Sequence, residues 1–164
     1  MIQRLVIIAE RIHQELADLE QVIARVERGM TAAQQRPEDL DLYLDAVALN
    51  IHDFYTGLER IFRHIAATVD GSVPESGEWH RELLRQMTIE LPQIRPRVLS
   101  AEMAQFLDEY LGFRHVVRNI YAFQFDPERI EHLVVRLRPG FEKVRAELLS
   151  FAAFLVQLAT ADAE

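Results

Sequence analysis

From Leu44 to Ile65 the apolar residues recur every three or four positions: Leu44, Val47, Ala48, Ile51, Phe54, Tyr55, Leu58, Ile61, Phe62 and Ile65. That spacing follows the 3.6-residue turn of an α-helix and no strand period, so this stretch alone dictates about six turns of amphipathic helix. A helix with one apolar face needs other faces to cover it, and the same chain supplies them. Leu5, Ile8, Ile12, Leu16, Leu19, Ile23 and Val26 form a second stripe, predicting a helix over 2–28 with Gly29 as its C-terminal cap. Pro37-Glu38-Asp39 suits the start of the long helix and Asp70-Gly71 its end. A shorter helix is predicted over 78–90, before Pro92 and Pro96 break the chain. Ser100 is an N-cap for a fourth helix, 101 to about 121, whose stripe is Met103, Phe106, Tyr110, Phe113, Val117 and Ile120. Asp126-Pro127-Glu128 caps a fifth, which Pro139-Gly140 is expected to kink or split before Phe141–Leu158. With no repeat or linker, the pattern predicts an all-α fold, a single antiparallel bundle of four to five helices forming one domain over 1–164.

Composition narrows the chemistry. The chain has 18 Lys and Arg against 26 Asp and Glu, a net charge of −8, so a broad cationic surface for duplex nucleic acid is excluded and any such site must be a local basic cluster. It has no cysteine, which removes disulfides, zinc ribbons and thiol nucleophiles together. No stretch approaches the apolar run of a bilayer span, and the first residues carry charges with no signal-peptide cleavage pattern, which predicts a cytoplasmic location. Carboxylate-bridged metal bundles need Glu and His three apart; Glu131-His132 are adjacent and no Glu-x-x-His occurs, so no metal centre is expected. Phosphate-binding glycine loops and G-x-S-x-G or H-E-x-x-H motifs are likewise missing. His13, His52, His64, His80, His115 and His132 are scattered, a pattern without chemical meaning by itself.

The segment that stands out is Phe113-Arg114-His115-Val116-Val117-Arg118-Asn119-Ile120-Tyr121. On a continued helix Arg118 lies about 40° from Arg114 and Tyr121 about 20° to its other side, so the three share one face with Leu107, Tyr110 and Val117. Two guanidiniums on a semi-apolar face require an anion, or acids such as Asp45 or Glu59 on a neighbouring helix.

This segment resembles the motif of the HEPN superfamily, especially its HepT-like toxins. In these all-α bundles F-R-N-x-x-x-H-x-Y stands near the end of a long helix, with an Asp a few residues on. Phe113-Arg114-His115 is similar to the F-R-N portion, Asn119 and Tyr121 fall at H-x-Y, and Asp126 follows. The stretch from Ile51-His52-Asp53-Phe54-Tyr55 to Arg63-His64 is similar to the family's early helices. A second register takes Arg118-Asn119 as the R-N pair and puts Phe123 and Phe125 at the His and Tyr positions, losing two functional groups instead of one. In either, the family histidine is replaced.

The resemblance implies a metal-independent, cofactor-free endoribonuclease in which the RNA 2′-OH attacks the adjacent phosphate. Arg114 would clamp the phosphate and Arg118 add a second cation. Asn119 can orient a hydroxyl but not exchange a proton, which implies a slow enzyme, an inactive relative or an inactivated form. His115, a conceivable substitute, points about 100° from Arg114 on a regular helix. The resemblance further implies a homodimer with facing motifs, and an MNT-type nucleotidyltransferase antitoxin that transfers AMP from ATP to Tyr121. The competing reading is a non-catalytic helical-bundle interaction module whose apolar stripes dock a partner.

Overall fold

The computed structural model describes residues 1–161. Five helices follow in order: α1 (Ile2–Gln35), α2 (Leu40–Ile65), α3 (Trp79–Met87), α4 (Ala101–Asn119) and α5 (Pro127–Ala161). No strand occurs among the described residues. All seven stripe residues of α1 and all ten of α2 are buried, as their spacing predicts. α1 lies against α2 and α5, α4 leans on α2, and α3 bridges α2 and α4.

Side-chain pairing shows the antiparallel register. Arg11 meets His64, Glu15 meets Arg60 and Arg25 meets Asn50, so α2 runs back along α1. Glu102 meets Lys143, Glu109 meets Arg136, and the Tyr110 hydroxyl donates to the Leu133 carbonyl at 2.7 Å, so α5 runs back along α4. Ser100 caps α4 as expected, its Oγ accepting from the Met103 amide at 3.2 Å. Asp126 caps α5, its Oδ1 accepting from the Glu128 amide at 3.1 Å.

Four expectations need correction. α1 does not stop at Gly29; it continues to Gln35, and Gly29 sits where the helices press together, because a Cβ there would lie 2.8 Å from Val47 Cγ2. α5 is not split at Pro139-Gly140: it runs unbroken from Pro127 to Ala161 with the proline inside it. Leu137 and Phe141 are buried on either side of the missing hydrogen bond, and a Cβ on Gly140 would strike the Phe106 ring, as close as 2.1 Å. α4 ends at Asn119 rather than about Tyr121, because Ile120 is extended at φ −127°, ψ 160°. Finally, α5 is long and apolar enough to cross a membrane, yet its face from Ile130 to Ala159 packs into the core.

Candidate functional site

Three helices build a polar cleft at the C-terminal end of α4. Gly77 and Glu78 lead into α3, which contributes His80 and Arg81; α4 contributes Leu111, Gly112, Arg114, His115, Arg118 and Asn119, around a volume of about 650 Å³. Beneath it α2 presents Glu59, whose side chain is only 6% exposed. The start of α3 is fixed locally: Ser76 Oγ accepts from the Glu78 amide at 3.1 Å and donates to Glu82 at 2.9 Å. Trp79 is pinned to α2 by the Arg63 guanidinium 5.0 Å from its ring centre.

Arg114, His80 and Glu59 form the floor. His80 Nδ1 is 2.6 Å from Glu59 Oε2, and the His80 ring stacks on Trp79 with centroids 3.5 Å apart. Arg114 Nη2 lies 3.9 Å from Glu59 Oε1 and Nη1 lies 3.4 Å from either nitrogen of His80. The arginine thus meets a neighbouring acid, as the structural alternative required, and the acid is Glu59. The pairing is loose, however, and Arg114 Nε is buried without any partner among the described residues. A guanidinium with uncommitted donors on a mostly buried side chain is the arrangement expected where an anion completes the set. One turn before Glu59, the Tyr55 hydroxyl is also buried and unpartnered; burial and then the Glu59 charge push its pKa far above the usual phenol value.

The remaining motif residues are arranged differently from a continued helix. Arg118 is exposed at the cleft wall and forms no salt bridge among the described residues. Asn119 Nδ2 donates to the His115 carbonyl at 2.7 Å and lies 3.3 Å from His115 Nδ1, so its amide is turned back on its own helix. Tyr121 lies beyond the helix end and does not share the face of Arg114 and Arg118. It is 72% exposed and stacked on the 83% exposed Phe123, centroids 5.4 Å apart. His80 and Glu59 are the members that the sequence reading missed as a pair. They lie 21 residues apart on different helices, and no spacing rule marks a lone histidine.

A second cleft of about 450 Å³ between α4 and α5 differs in kind. Its charges are satisfied internally, Arg136 by Glu109 at 2.6 Å and Lys143 by Glu102 at 3.3 Å, so it has no cation to spare. No group of three His, Asp or Glu side chains that could hold a metal ion occurs among the described residues.

An all-α antiparallel bundle with its motif arginine in a cleft at the end of the fourth helix has the build of the HEPN superfamily. Residues 46–155, about two thirds of the chain, match the family model described as HepT-like protein, and the chain belongs to this family. Searches of curated proteins and of solved structures each gave no match.

Proposed function

We propose that this chain is a HepT-type toxin of the cytoplasm, an endoribonuclease that needs no metal and is neutralised by a nucleotidyltransferase antitoxin. The observation that carries the reading is the cleft itself. Arg81, Arg114 and Arg118 line it with two imidazoles on a protein of net charge −8; Asp108 pairs with Arg81 at 3.4 Å and Glu59 lies 3.9 Å from Arg114, which leaves Arg118 and the unfilled donors of Arg114 to meet an anion. Local focusing of this kind draws in a phosphodiester that the whole molecule would repel. Arg114 is the phosphate clamp and holds the charge that develops as the 2′-oxygen attacks; Arg118 is the second cation. Asn119 orients a hydroxyl through its free carbonyl oxygen but cannot move a proton, so the motif alone lacks an acid–base group. The expected result is cleavage of single-stranded RNA in the presence of EDTA, leaving 2′,3′-cyclic phosphate ends, with DNA of the same sequence intact. Cleavage of that DNA, or a strict need for a divalent cation, would overturn the assignment.

The acidic protomer gains by pairing, because two facing clefts double the cations available to one RNA. Light scattering at micromolar concentration is expected to give about twice the 19.0 kDa protomer mass. A strictly monomeric protein would remove the paired cleft.

Tyr121 is the proposed acceptor of AMP. Its exposed hydroxyl attacks the α-phosphate of ATP, pyrophosphate leaves, and each AMP adds negative charge near the cationic cleft. With an MNT-type partner, ATP and magnesium, intact-mass analysis is expected to show AMP additions that vanish in Tyr121→Phe. Additions that persist there place the modification elsewhere.

One observation favours the alternative, a non-catalytic interaction module: Ile120, Tyr121 and Phe123 form an exposed apolar patch beside the cleft. On that reading the chain leaves RNA uncut under every condition above.

A further inference from the structure

We propose that His80, which lies outside the sequence motif, is the catalytic base of this cleft, held by Glu59 as its positioning residue. The inference rests on the ribonuclease reading above and supplies the group that Asn119 cannot. A carboxylate only accepts hydrogen bonds, so the 2.6 Å contact assigns the proton of the neutral ring to Nδ1 and leaves Nε2 as the basic nitrogen. Glu59 is almost fully buried, whereas the His80 side chain is 26% exposed and lines the cleft. A buried acid behind a partly exposed imidazole fixes the ring's tautomer and orientation and stabilises the imidazolium once it forms. Trp79 against the ring removes the remaining rotational freedom.

The position relative to Arg114 completes the case. Its guanidinium lies 3.4 Å from the His80 ring, so a phosphate taken up by Arg114 brings its neighbouring ribose within reach of the imidazole. The 3.4 Å contact is loose, and a bound phosphate, with its charge-assisted hydrogen bonds, displaces it. In the step, the 2′-OH proton passes to Nε2 and the 2′-oxygen bonds to phosphorus. The bond from phosphorus to the 5′-oxygen breaks, and that oxygen takes a proton from water. His80 then returns its proton to solvent, so RNA is converted to a 2′,3′-cyclic phosphate and a 5′-hydroxyl with no other reactant.

The test compares the full chain with His80→Gln and Arg114→Ala on single-stranded RNA in EDTA. Binding is measured separately with a fully 2′-O-methylated RNA, which cannot be cut. Glutamine can still donate to Glu59, so it preserves the anchor while removing proton exchange. His80→Gln is expected to remain folded by circular dichroism and to bind the methylated RNA within about twofold of the parent, while cleaving about 10²- to 10⁴-fold more slowly. Unchanged cleavage by His80→Gln, with cleavage lost in Arg114→Ala, overturns the role of His80 and leaves the ribonuclease reading standing. Failure of the parent chain to show any cleavage that depends on Arg114 overturns that reading and this inference with it.

If His80→Gln does not fold, the pH–rate profile of the parent decides. The groups facing the imidazole are Glu59 from α2, Arg114 from α4, and Glu78 and Arg81 on its own segment, with His115 across the cleft. An acid limb that persists in His115→Gln supports the proposal. A flat profile, or a limb that disappears in His115→Gln, refutes it.

Discussion

Arg114→Ala is expected to lower RNA cleavage by about 10²- to 10³-fold, the usual effect of removing one preorganised donor set from a charged transition state. The expectation follows from how little of this guanidinium is used by the resting protein. Arg138 and Arg136 are held by carboxylates at 2.5 to 2.9 Å, whereas the closest carboxylate contact of Arg114 is 3.9 Å and its Nε has no partner. An arginine serving only structure would satisfy its fork on Glu59, and this one does not. Arg114→Lys keeps the charge and loses the fork, so it is expected to bind RNA better than the alanine variant while still cleaving slowly. Thermal melting separates loss of function from loss of fold, since Glu59 keeps its bond to His80 in both variants. Cleavage within a few-fold of the parent in a folded Arg114→Ala protein would remove the phosphate-clamp role.

The parts of this molecule that burial dictates were legible in the sequence, and those that depend on a partner in space were not. The stripes of α1 and α2 could be read because each buried position writes itself into a 3.6-residue period. Gly29 and Gly140 misled for the same reason: read along the chain they are punctuation, but each is a site of close approach, to Val47 and to the Phe106 ring. The motif arginine could be located from its neighbours in sequence, yet the helical phase that placed Tyr121 beside it runs only as far as the helix. α4 stops at Asn119 and Ile120 turns extended, which carries Tyr121 out to solvent. The sequence offers Glu59 as an acid partner for Arg114 but gives no hint that His80 meets them both. A tertiary pair of that kind leaves no local spacing, and the one cue near it, a Ser-Gly-Glu loop leading into Trp79-His80, reads equally well as an ordinary helix start.

Arg95→Met is expected to destabilise the fold by about 3–5 kcal/mol, because it removes one member of a fully buried ion pair. Arg95 and Asp70 have side chains 0% and 2% exposed. Arg95 Nε donates to Asp70 Oδ1 at 2.5 Å and Nη2 to Oδ2 at 2.8 Å, while the remaining donors reach the carbonyls of Ile89, Pro96 and Gln86. Every N–H of the guanidinium is therefore used, and its loss leaves a buried carboxylate without its counter-ion, held by Gln86 alone, and takes a donor from each of three carbonyls. For a chain of this size the melting temperature is expected to fall by roughly 6–20 °C. Arg138→Ala supplies the contrast: its bonds to Glu20 and Glu27 are as short, and hydrogen bonding to these carboxylates raises its pKa further, but all three side chains are more than a third exposed. Solvent screening limits that loss to about 1 kcal/mol or less. Comparable losses in the two variants would contradict the burial argument. The clasp also bears on the cleft, because Gln86 of α3 donates to Asp70 at 2.7 Å and the amides of Val98 and Leu99 reach the Met87 carbonyl, tying the end of α3 to the segment that follows α2 and to the one that precedes α4. The other end of α3 carries His80 to Glu59. Release of the clasp is accordingly expected to speed amide exchange throughout α3 and to weaken RNA cleavage at temperatures where the variant is still folded, a combined result that Arg138→Ala does not produce.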